Sequence, residues 1–364
     1  MAMGLQAGTA MPLVPLMLER DGVDKLTIGI VTATWAIGML AFGTRIPGLA
    51  SRLGAVRVIV MAAVAGASIN VAYTLTSGPI AWGILTFLHG VVGGVPWVVS
   101  EIWMNTVVDE SRRGRVMGVY GMMVAIGMAI GPLVLQVVGV YGPTPFLAAA
   151  ALGLLVAVPL LPHWSTAPRI RYSADSNFAA VVRVAPLAMF AAFACGMGEQ
   201  VAFSFLPVYA VGAGVSAQTG TLWLSAFVIG NCVFQWPIGW LADHADRRAV
   251  LAGCALASMA LVGALPLVPG TSLAVIAVVL LWGGISFSIY PVALALLGQR
   301  MKGGDIARAN TAFSMIYILG GFVGRPATGG AMDAFGEAGL GGTLAFFYLA
   351  AGVAALVSLQ RRAA

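Results

Sequence analysis

Charged residues are scarce in this chain. Asp, Glu, Lys and Arg together make up 9% of its 364 residues, whereas a soluble domain contains roughly 25%. Hydrophobic residues account for 60% of the chain, and the mean hydropathy is +0.96. This composition excludes a soluble globular protein and predicts an all-α integral membrane protein.

Cysteine is also rare. The three cysteines all lie inside apolar stretches, where a free thiol behaves as a small hydrophobic group. They predict no disulfide, no metal and no redox site, and no cofactor is expected. The net charge of +6 comes without a basic cluster that carries interleaved aromatic residues. Nucleic acid is therefore not an expected partner, and membrane lipid explains the charge better.

Enzyme motifs are missing as well. The sequence contains no nucleophilic serine motif, no His/Asp/Glu cluster of metal-ligand spacing, and no phosphate-binding glycine loop followed by lysine. A membrane-embedded enzyme that acts on lipid is therefore the weaker alternative, and we predict that the protein is not an enzyme.

Long apolar runs are what the chain has instead. Runs able to cross about 30 Å of hydrocarbon, at about 1.5 Å per residue, predict twelve transmembrane helices. They lie near residues 1–18, 26–47, 58–76, 80–105, 116–140, 146–162, 185–211, 219–240, 250–268, 272–298, 309–332 and 342–359. One polar segment, 163–184, is predicted to be a cytoplasmic linker. It divides the chain into an N-terminal six-helix half, 1–162, and a C-terminal six-helix half, 185–364.

Basic residues are concentrated in the even-numbered connections between these helices, in the linker and in the C-terminal tail. The positive-inside rule therefore predicts a multi-pass plasma-membrane protein whose N- and C-termini are both cytoplasmic.

A cytoplasmic string indicates an internal duplication. Gly239-Trp-Leu-Ala-Asp243-His-Ala-Asp-Arg247-Arg248 has a decayed copy in Pro47-Gly-Leu-Ala-Ser51-Arg52, and the same offset aligns Leu13-Val14-Pro15-Leu16 with Phe205-Leu206-Pro207-Val208. The repeat thus covers whole helices rather than one loop. A duplicated membrane bundle is the architecture of a secondary transporter.

The C-terminal string resembles a loop motif of the major facilitator superfamily, and Glu101-Ile-Trp103-Met-Asn105 is similar to its YcaD-like branch. Gly118, Gly127, Gly131 and Pro132 reproduce the spacing of a motif in that superfamily's fifth helix. The resemblance implies a monomeric transporter with two pseudo-symmetric halves, which moves a small organic solute by alternating access. It also implies that the first helix, which starts at Met1, lacks the cytoplasmic end typical of the family.

The chain departs from the superfamily pattern at two positions. Ser51 replaces the aspartate of the N-terminal loop motif, and Thr86 stands where an arginine associated with proton handling is expected. The missing arginine argues against a standard proton-antiport mechanism.

Two ionisable residues are predicted deep in the membrane, where charges are costly and mark functional sites. Glu199 and Arg325 lie roughly 21 and 24 Å from the cytoplasmic ends of the seventh and eleventh helices. Burial disfavours a charged carboxyl, so Glu199 could load and release a proton, or it could be a hydrogen-bonded packing group. Arg325 is expected to pair with Glu199, to snorkel to the outer headgroups or to meet an anionic substrate.

Further polar candidates are less specific. His89, near mid-depth in the fourth helix, could accept a proton, contact substrate or donate an interhelical hydrogen bond. Gln6 and Gln200 lie on the first and seventh helices, which the resemblance places beside a central cavity, and Tyr290 could line that cavity or simply pack.

The cytoplasmic loops are predicted to form a gate. Asp243 is expected to cap the N-terminal end of a neighbouring helix and Ser51 to cap without a charge, so the C-terminal copy should hold the gate. Glu101 is expected to pair with a loop arginine: Arg45, Arg52 or Arg112. The gate candidates are Ser51, Arg52, Glu101, Asp243, Arg247 and Arg248.

The glycines of the fifth-helix motif, Gly118, Gly127 and Gly131, are expected to allow close helix packing, and Pro132 to bend the helix. Together the observations favour a secondary active transporter, with proton coupling through Glu199 as a hypothesis. An uncoupled facilitator and a receptor or scaffold that has lost transport are the alternatives.

Overall fold

The structure is a computed structural model that describes residues 1–164, 184–299 and 305–363. Every regular element in these ranges is a helix. The chain forms two compact units, Met1–Val23 with Ile30–Ala174 and Asp24–Gly29 with Asp175–Ala364. Most of the predicted linker 163–184 lies outside the described residues, and the predicted domain boundaries stay a prediction.

The N-terminal half of the described chain contains eight α-helices followed by a 3₁₀ helix, Val158–His163. The α-helices are α1 (Ala2–Ala10), α2 (Leu13–Arg20), α3 (Lys25–Gly43), α4 (Ile46–Leu53), α5 (Ala55–Leu75), α6 (Pro79–Val107), α7 (Glu110–Val138) and α8 (Thr144–Leu154).

The C-terminal half of the described chain contains six α-helices and a short 3₁₀ helix, Leu265–Leu267. The α-helices are α9 (Pro186–Gly212), α10 (Ala217–His244), α11 (Arg247–Ala264), α12 (Leu273–Gly298), α13 (Asp305–Phe335) and α14 (Ala338–Ala363).

Ten segments of the described residues are long and apolar enough to cross a membrane. They are Lys25–Gly43, Ala55–Leu75, Pro79–Met104, Arg115–Val138, Thr144–Pro162, Pro186–Gly212, Ala217–His244, Arg247–Leu267, Leu273–Gly298 and Ala338–Arg361. The all-helical membrane architecture is therefore confirmed, whereas the predicted number of twelve spans is not. The eleventh predicted span, 309–332, lies within α13, whose 31 residues are long enough but include several charged residues.

The first predicted span, 1–18, is not one continuous helix. Helix α1 ends at Ala10 and α2 begins at Leu13, with Met11 and Pro12 in a turn between them. Proline lacks the backbone N–H that an interior helical residue donates, and it is favoured at helix starts. Neither helix alone has the length of a membrane span.

Aspartate side chains fix two helix starts. Asp246 accepts a hydrogen bond from the backbone N–H of Arg248 at 2.8 Å and caps α11. At the start of α3, the backbone N–H groups of Lys25 and Leu26 donate to the two carboxylate oxygens of Asp333 on α13, at 2.9 and 2.8 Å.

Asp24 stabilises the same helix start locally. Its carboxylate accepts a hydrogen bond from the backbone N–H of Thr27 at 2.8 Å. This hydrogen bond holds the pKa of Asp24 below its usual value, because it favours the ionised carboxyl. The helix start therefore keeps its negative charge at neutral pH.

Each half has an aromatic core. In the first unit, Tyr73, Trp82 and Phe146 are buried and pack with ring centroids 5.2 to 5.8 Å apart. In the second unit, Phe227 packs edge-on against Trp282 at 4.8 Å. The three cysteines are free, with Cys195 and Cys254 buried and Cys232 exposed on α10.

Two of the three motif glycines in α7 allow close packing. A Cβ atom at Gly127 would lie 2.7 Å from the backbone nitrogen of Leu5, and one at Gly131 would lie 2.5 Å from the carbonyl carbon of Gly8. The hydroxyl of Thr9 donates to the Gly131 carbonyl at 3.0 Å. A Cβ at Gly118 would have no neighbour within 4 Å, so the packing prediction for that residue is wrong. Pro132 lies inside α7, and the bend expected there stays a prediction.

Candidate functional site

Helix α9 is the most enclosed of the ten candidate spans. In its most apolar stretch 83% of the residues are buried, compared with at most 44% in the other nine. Between Ala194 and Ala210, Glu199 is the only residue that is not buried. The helix therefore leaves one side chain accessible along this stretch, and that side chain carries a carboxyl group.

The carboxyl group of Glu199 interacts with the hydroxyl of Tyr317 on α13. The side-chain amide of Gln200 donates to the same hydroxyl at 3.4 Å. An ionised carboxylate only accepts hydrogen bonds, whereas a protonated one also donates. Protonation of Glu199 would therefore allow it to donate a hydrogen bond to Tyr317 as well as to accept one.

Arg325 lies on the far side of Gln200. Its Nη2 donates to the amide oxygen of Gln200 at 2.5 Å, and its Nε donates to the hydroxyl of Ser204 at 3.0 Å. The five side chains thus form a continuous polar chain between α9 and α13: Glu199, Tyr317, Gln200, Arg325 and Ser204. We call this set the polar chain.

The predicted ion pair between Glu199 and Arg325 is absent from the structure. The two residues lie at similar depth, but Gln200 and Tyr317 stand between their side chains. Snorkelling is excluded in this structure too, because Arg325 is only 4% exposed. Of the three predicted roles of Arg325, recognition of an anion stays a prediction.

Glycines bring the two helices of the polar chain together. A Cβ at Gly196 of α9 would lie 2.7 Å from the carbonyl carbon of Tyr317, and one at Gly320 of α13 would lie 2.9 Å from that of Phe193. Gly321 leaves the space that the Gln200 side chain fills, since a Cβ there would lie 2.5 Å from Cγ of Gln200.

Tyr290 supports the polar chain by packing. Its ring meets those of Phe313 and Tyr317 edge-on, with centroids 4.9 and 5.3 Å away. Its hydroxyl lies 3.5 Å from the hydroxyl of Ser314. These contacts hold the Tyr317 ring in place beside Glu199.

The candidates of the first unit are separate from one another. His89 on α6 is partly exposed and forms no hydrogen bond with any of the residues described, so the interhelical donor role is not seen. Gln6 on α1 is also partly exposed, and a Cβ at Gly153 would lie 3.5 Å from its Cγ. Thr86, in place of the expected arginine, shares a 2.9 Å hydrogen bond with the buried Tyr73.

The gate candidates of the N-terminal copy do not form the predicted contacts. The hydroxyl of Ser51 donates back to the Gly48 carbonyl at 2.8 Å within α4, and no capping hydrogen bond to it is seen among the described residues. Arg52 is exposed. Glu101 interacts with Trp97 and lies near Tyr120, and among the described side chains no arginine pairs with it.

In the C-terminal copy, Asp243 pairs with Arg247 at 3.4 Å. The described residues show no hydrogen bond from a helix start to its carboxylate, so the capping role of Asp243 stays a prediction. Arg247 also donates to the carbonyls of Ala242 and Ala295 at 3.3 and 3.2 Å. Arg248 donates to the carbonyl of Ser358 at 3.0 Å. The two arginines therefore satisfy carbonyl groups near the ends of three helices.

The family model of the Major Facilitator Superfamily matches residues 1–324 and 188–363 of the chain. The chain belongs to this superfamily. Its members are transporters rather than enzymes, and the protein is accordingly a secondary transporter and a multi-pass inner-membrane protein.

A relative of the same superfamily is the "uncharacterized MFS-type transporter YcaD" of Escherichia fergusonii. It is 26% identical over 315 residues, which cover 86% of this chain and 81% of the relative. The resemblance to the YcaD-like branch is thereby confirmed.

Solved superfamily structures share the fold. The nucleoside transporter NupG superposes with a TM-score of 0.76 at 15% identity, over 98% of this chain and 94% of that one. A D-xylose-proton symporter superposes with a TM-score of 0.75 at 14% identity, over 97% and 94%.

Three residues with a role in the polar chain or in helix capping were not predicted from the sequence. Tyr317 and Ser204 complete the polar chain, and Asp246 caps a helix. Asp246 could have been found, because aspartate directly before an apolar helical run is a typical N-cap. Tyr317 and Ser204 carried no comparable signal.

The contacts of Arg247 and Asp243 in the loop motif predict how much each residue contributes to stability. We expect Arg247→Gln to lower the free energy of unfolding by about 1–2 kcal/mol, because two helix-end carbonyls lose a charged donor. Asp243→Asn should change it by less than about 1 kcal/mol, since that carboxylate is 69% exposed. Thermal unfolding of both variants in detergent checks the order, and a larger effect of Asp243→Asn would contradict it.

Proposed function

We propose that the protein moves a small organic solute together with a proton by alternating access, and that Glu199 carries the proton. The observation that supports this proposal is the accessibility of Glu199, the one residue that is not buried between Ala194 and Ala210 of α9. A carboxyl that exchanges protons must reach water during the cycle, while its surroundings must favour the neutral form for part of it.

The titratable groups around Glu199 in the described residues are a thiol and two phenols, none of which can carry a positive charge. They are Tyr317 on α13, Tyr348 on α14 and Cys195 on α9 itself. Since no cation faces the carboxyl directly in the described residues, the proton is the natural partner for its charge. His89 on α6 is a second candidate for contact with the proton or the solute, because its imidazole is partly exposed and no hydrogen bond to a described residue holds it.

Proton coupling is compatible with this fold. The D-xylose-proton symporter mentioned above shares the architecture, although 14% identity carries no information about individual residues. We further propose that the protein is monomeric in lipid. Both termini are placed in the cytoplasm, because the connections on that side carry most of the basic residues.

The decisive experiment is solute uptake into proteoliposomes at a series of external pH values, with a solute first identified by thermal-shift screening. For the wild type we expect uptake to rise as the external pH falls, by up to about tenfold per pH unit for one titrating group. Glu199→Gln, which cannot ionise, should bind the solute but lose this pH dependence.

Glu101→Gln is the matched control, since it removes another partly buried carboxyl from a membrane helix; it should keep the pH dependence. Unaltered pH dependence in Glu199→Gln would refute the coupling role and favour an uncoupled facilitator. Solute binding without any flux in the wild type would favour a receptor or scaffold.

A further inference from the structure

Arg325 is a buried cation without an anionic partner. Only 4% of its surface is exposed, and both acceptors that it reaches, Gln200 and Ser204, are neutral. Ion pairs among the described residues join Arg20 to Asp21 and Arg247 to Asp243, and neither involves Arg325. A buried charge without a counter-ion is costly, so its presence points to a function.

One nitrogen of the Arg325 guanidinium has no hydrogen-bond acceptor among the described residues. Nε and Nη2 are held by Ser204 and Gln200, whereas Nη1 is buried and has no acceptor within the residues described. Buried N–H groups normally find an acceptor, and one without an acceptor calls for an explanation. The two side chains of α9 thus hold one edge of the guanidinium and leave Nη1 to a further partner.

A second orphan donor lies one helical turn away. The hydroxyl of Thr328 is fully buried and also lacks a partner in the described chain. Residues three apart on a helix share one face, so Thr328 and Arg325 belong to the same face of α13. A guanidinium and a hydroxyl on one face are a donor set suited to an oxygen anion.

We propose that Arg325 and Thr328 bind the carboxylate of the transported solute, which is therefore an organic monoanion. A carboxylate matches the single charge and the planar fork of one guanidinium. A phosphate monoester carries close to two charges at neutral pH and would need a second cation. Gln200 and Ser204 are positioning residues that orient the guanidinium.

Helix α13 lacks a backbone hydrogen bond next to Arg325. Gly324 and Pro326 flank Arg325, and Pro326 lacks the N–H that would pair with the carbonyl of Phe322. Helices bend most readily at such a break. In the proposed cycle a bend there would expose the guanidinium, which is buried in this structure.

The polar chain joins this anion site to the proton site. Gln200 contacts both Arg325 and Tyr317, and Tyr317 contacts Glu199. A carboxylate at Arg325 and a proton on Glu199 together carry no net charge. This coupling rests on the proposed function, whereas binding of a carboxylate at Arg325 does not.

The test uses the purified full-length protein in detergent, with sodium formate, acetate and benzoate as probes against sodium chloride at equal ionic strength. We expect the carboxylates to raise the thermal unfolding midpoint in a saturable manner, and the uncharged benzamide to have no effect. Thr328→Val, which keeps the side-chain shape, should weaken the apparent affinity about fivefold. Arg325→Gln should abolish the effect.

Arg361→Gln is the matched control, because it removes an exposed arginine at the end of α14 and should respond like the wild type. No shift with any of the three carboxylates, or equal shifts in wild type and Thr328→Val, would overturn the proposal even if Arg325→Gln fails to fold. A larger shift with inorganic phosphate would overturn the carboxylate assignment. If carboxylates bind but solute flux does not depend on pH, the anion site at Arg325 stands and only the proton-carrying role of Glu199 is refuted.

Discussion

Replacing Arg325 by methionine is expected to make the protein more stable while it greatly slows transport. The guanidinium is buried, it has only neutral partners, and its Nη1 has no acceptor in the described residues. Burying an ion costs several kcal/mol, and relief of this cost is expected to exceed the roughly 1–3 kcal/mol lost when the buried acceptors of Gln200 and Ser204 lose their donor. Losing a charge-assisted hydrogen bond to an anionic solute should reduce uptake by about 10- to 100-fold.

Thermal unfolding and uptake by the same Arg325→Met preparation measure both effects. The opposite signs are diagnostic, because a residue with a purely structural role would lose stability and activity together. Arg361→Met serves as the control, since it removes an exposed charge and should change neither quantity much. A large fall in the unfolding midpoint of Arg325→Met would show that the charge stabilises the fold.

The second large effect concerns the contact between α9 and α13. We expect Gly196→Ala and Gly320→Ala each to lower the free energy of unfolding by about 1–3 kcal/mol. In both variants the new methyl group meets backbone atoms of the facing helix, at 2.7 Å from the Tyr317 carbonyl carbon and 2.9 Å from that of Phe193. Backbone cannot rotate away as a side chain can, so the helices must separate.

Separation of these helices should also affect transport, because it pulls Tyr317 away from Glu199 and Gln200. Gly253→Ala on α11 is the control: a Cβ there has no neighbour within 4 Å, and alanine favours a helix by about 0.5–1 kcal/mol over glycine. The unfolding midpoint and the uptake rate of the three variants test the expectation. Similar stability in all three would mean that the close approach is not required.

The helices were predictable because one rule governs them. A segment that spans hydrocarbon must satisfy its backbone internally and present apolar side chains, so length and composition suffice to locate it. The failures occur where other interactions compete. Pro12 divides the first predicted span, and α13 carries several charges along its 31 residues.

The site was only partly predictable, for a geometric reason. Residue number fixes the depth of a side chain at about 1.5 Å per residue, and the depths of Glu199 and Arg325 agree. It does not fix the direction, which turns by about 100° per residue and depends on how the helix is packed. Gln200, one residue further along, points to Arg325 and Glu199 does not.

Capping shows the same limit. The carboxylate of Asp333 on α13 accepts the hydrogen bonds at the start of α3, although these two helices are far apart in sequence. A local signal such as Asp246 before α11 can be recognised in the sequence. A cap supplied by another helix depends on tertiary packing and leaves no such pattern.

Of the three cysteines, Cys195 and Cys254 are buried and Cys232 is exposed. Cys232 lies on α10, which is a membrane-crossing candidate. The unmodified protein consequently offers one exposed thiol for a maleimide. A fluorophore attached there would report on the movement of α10 without prior removal of native cysteines.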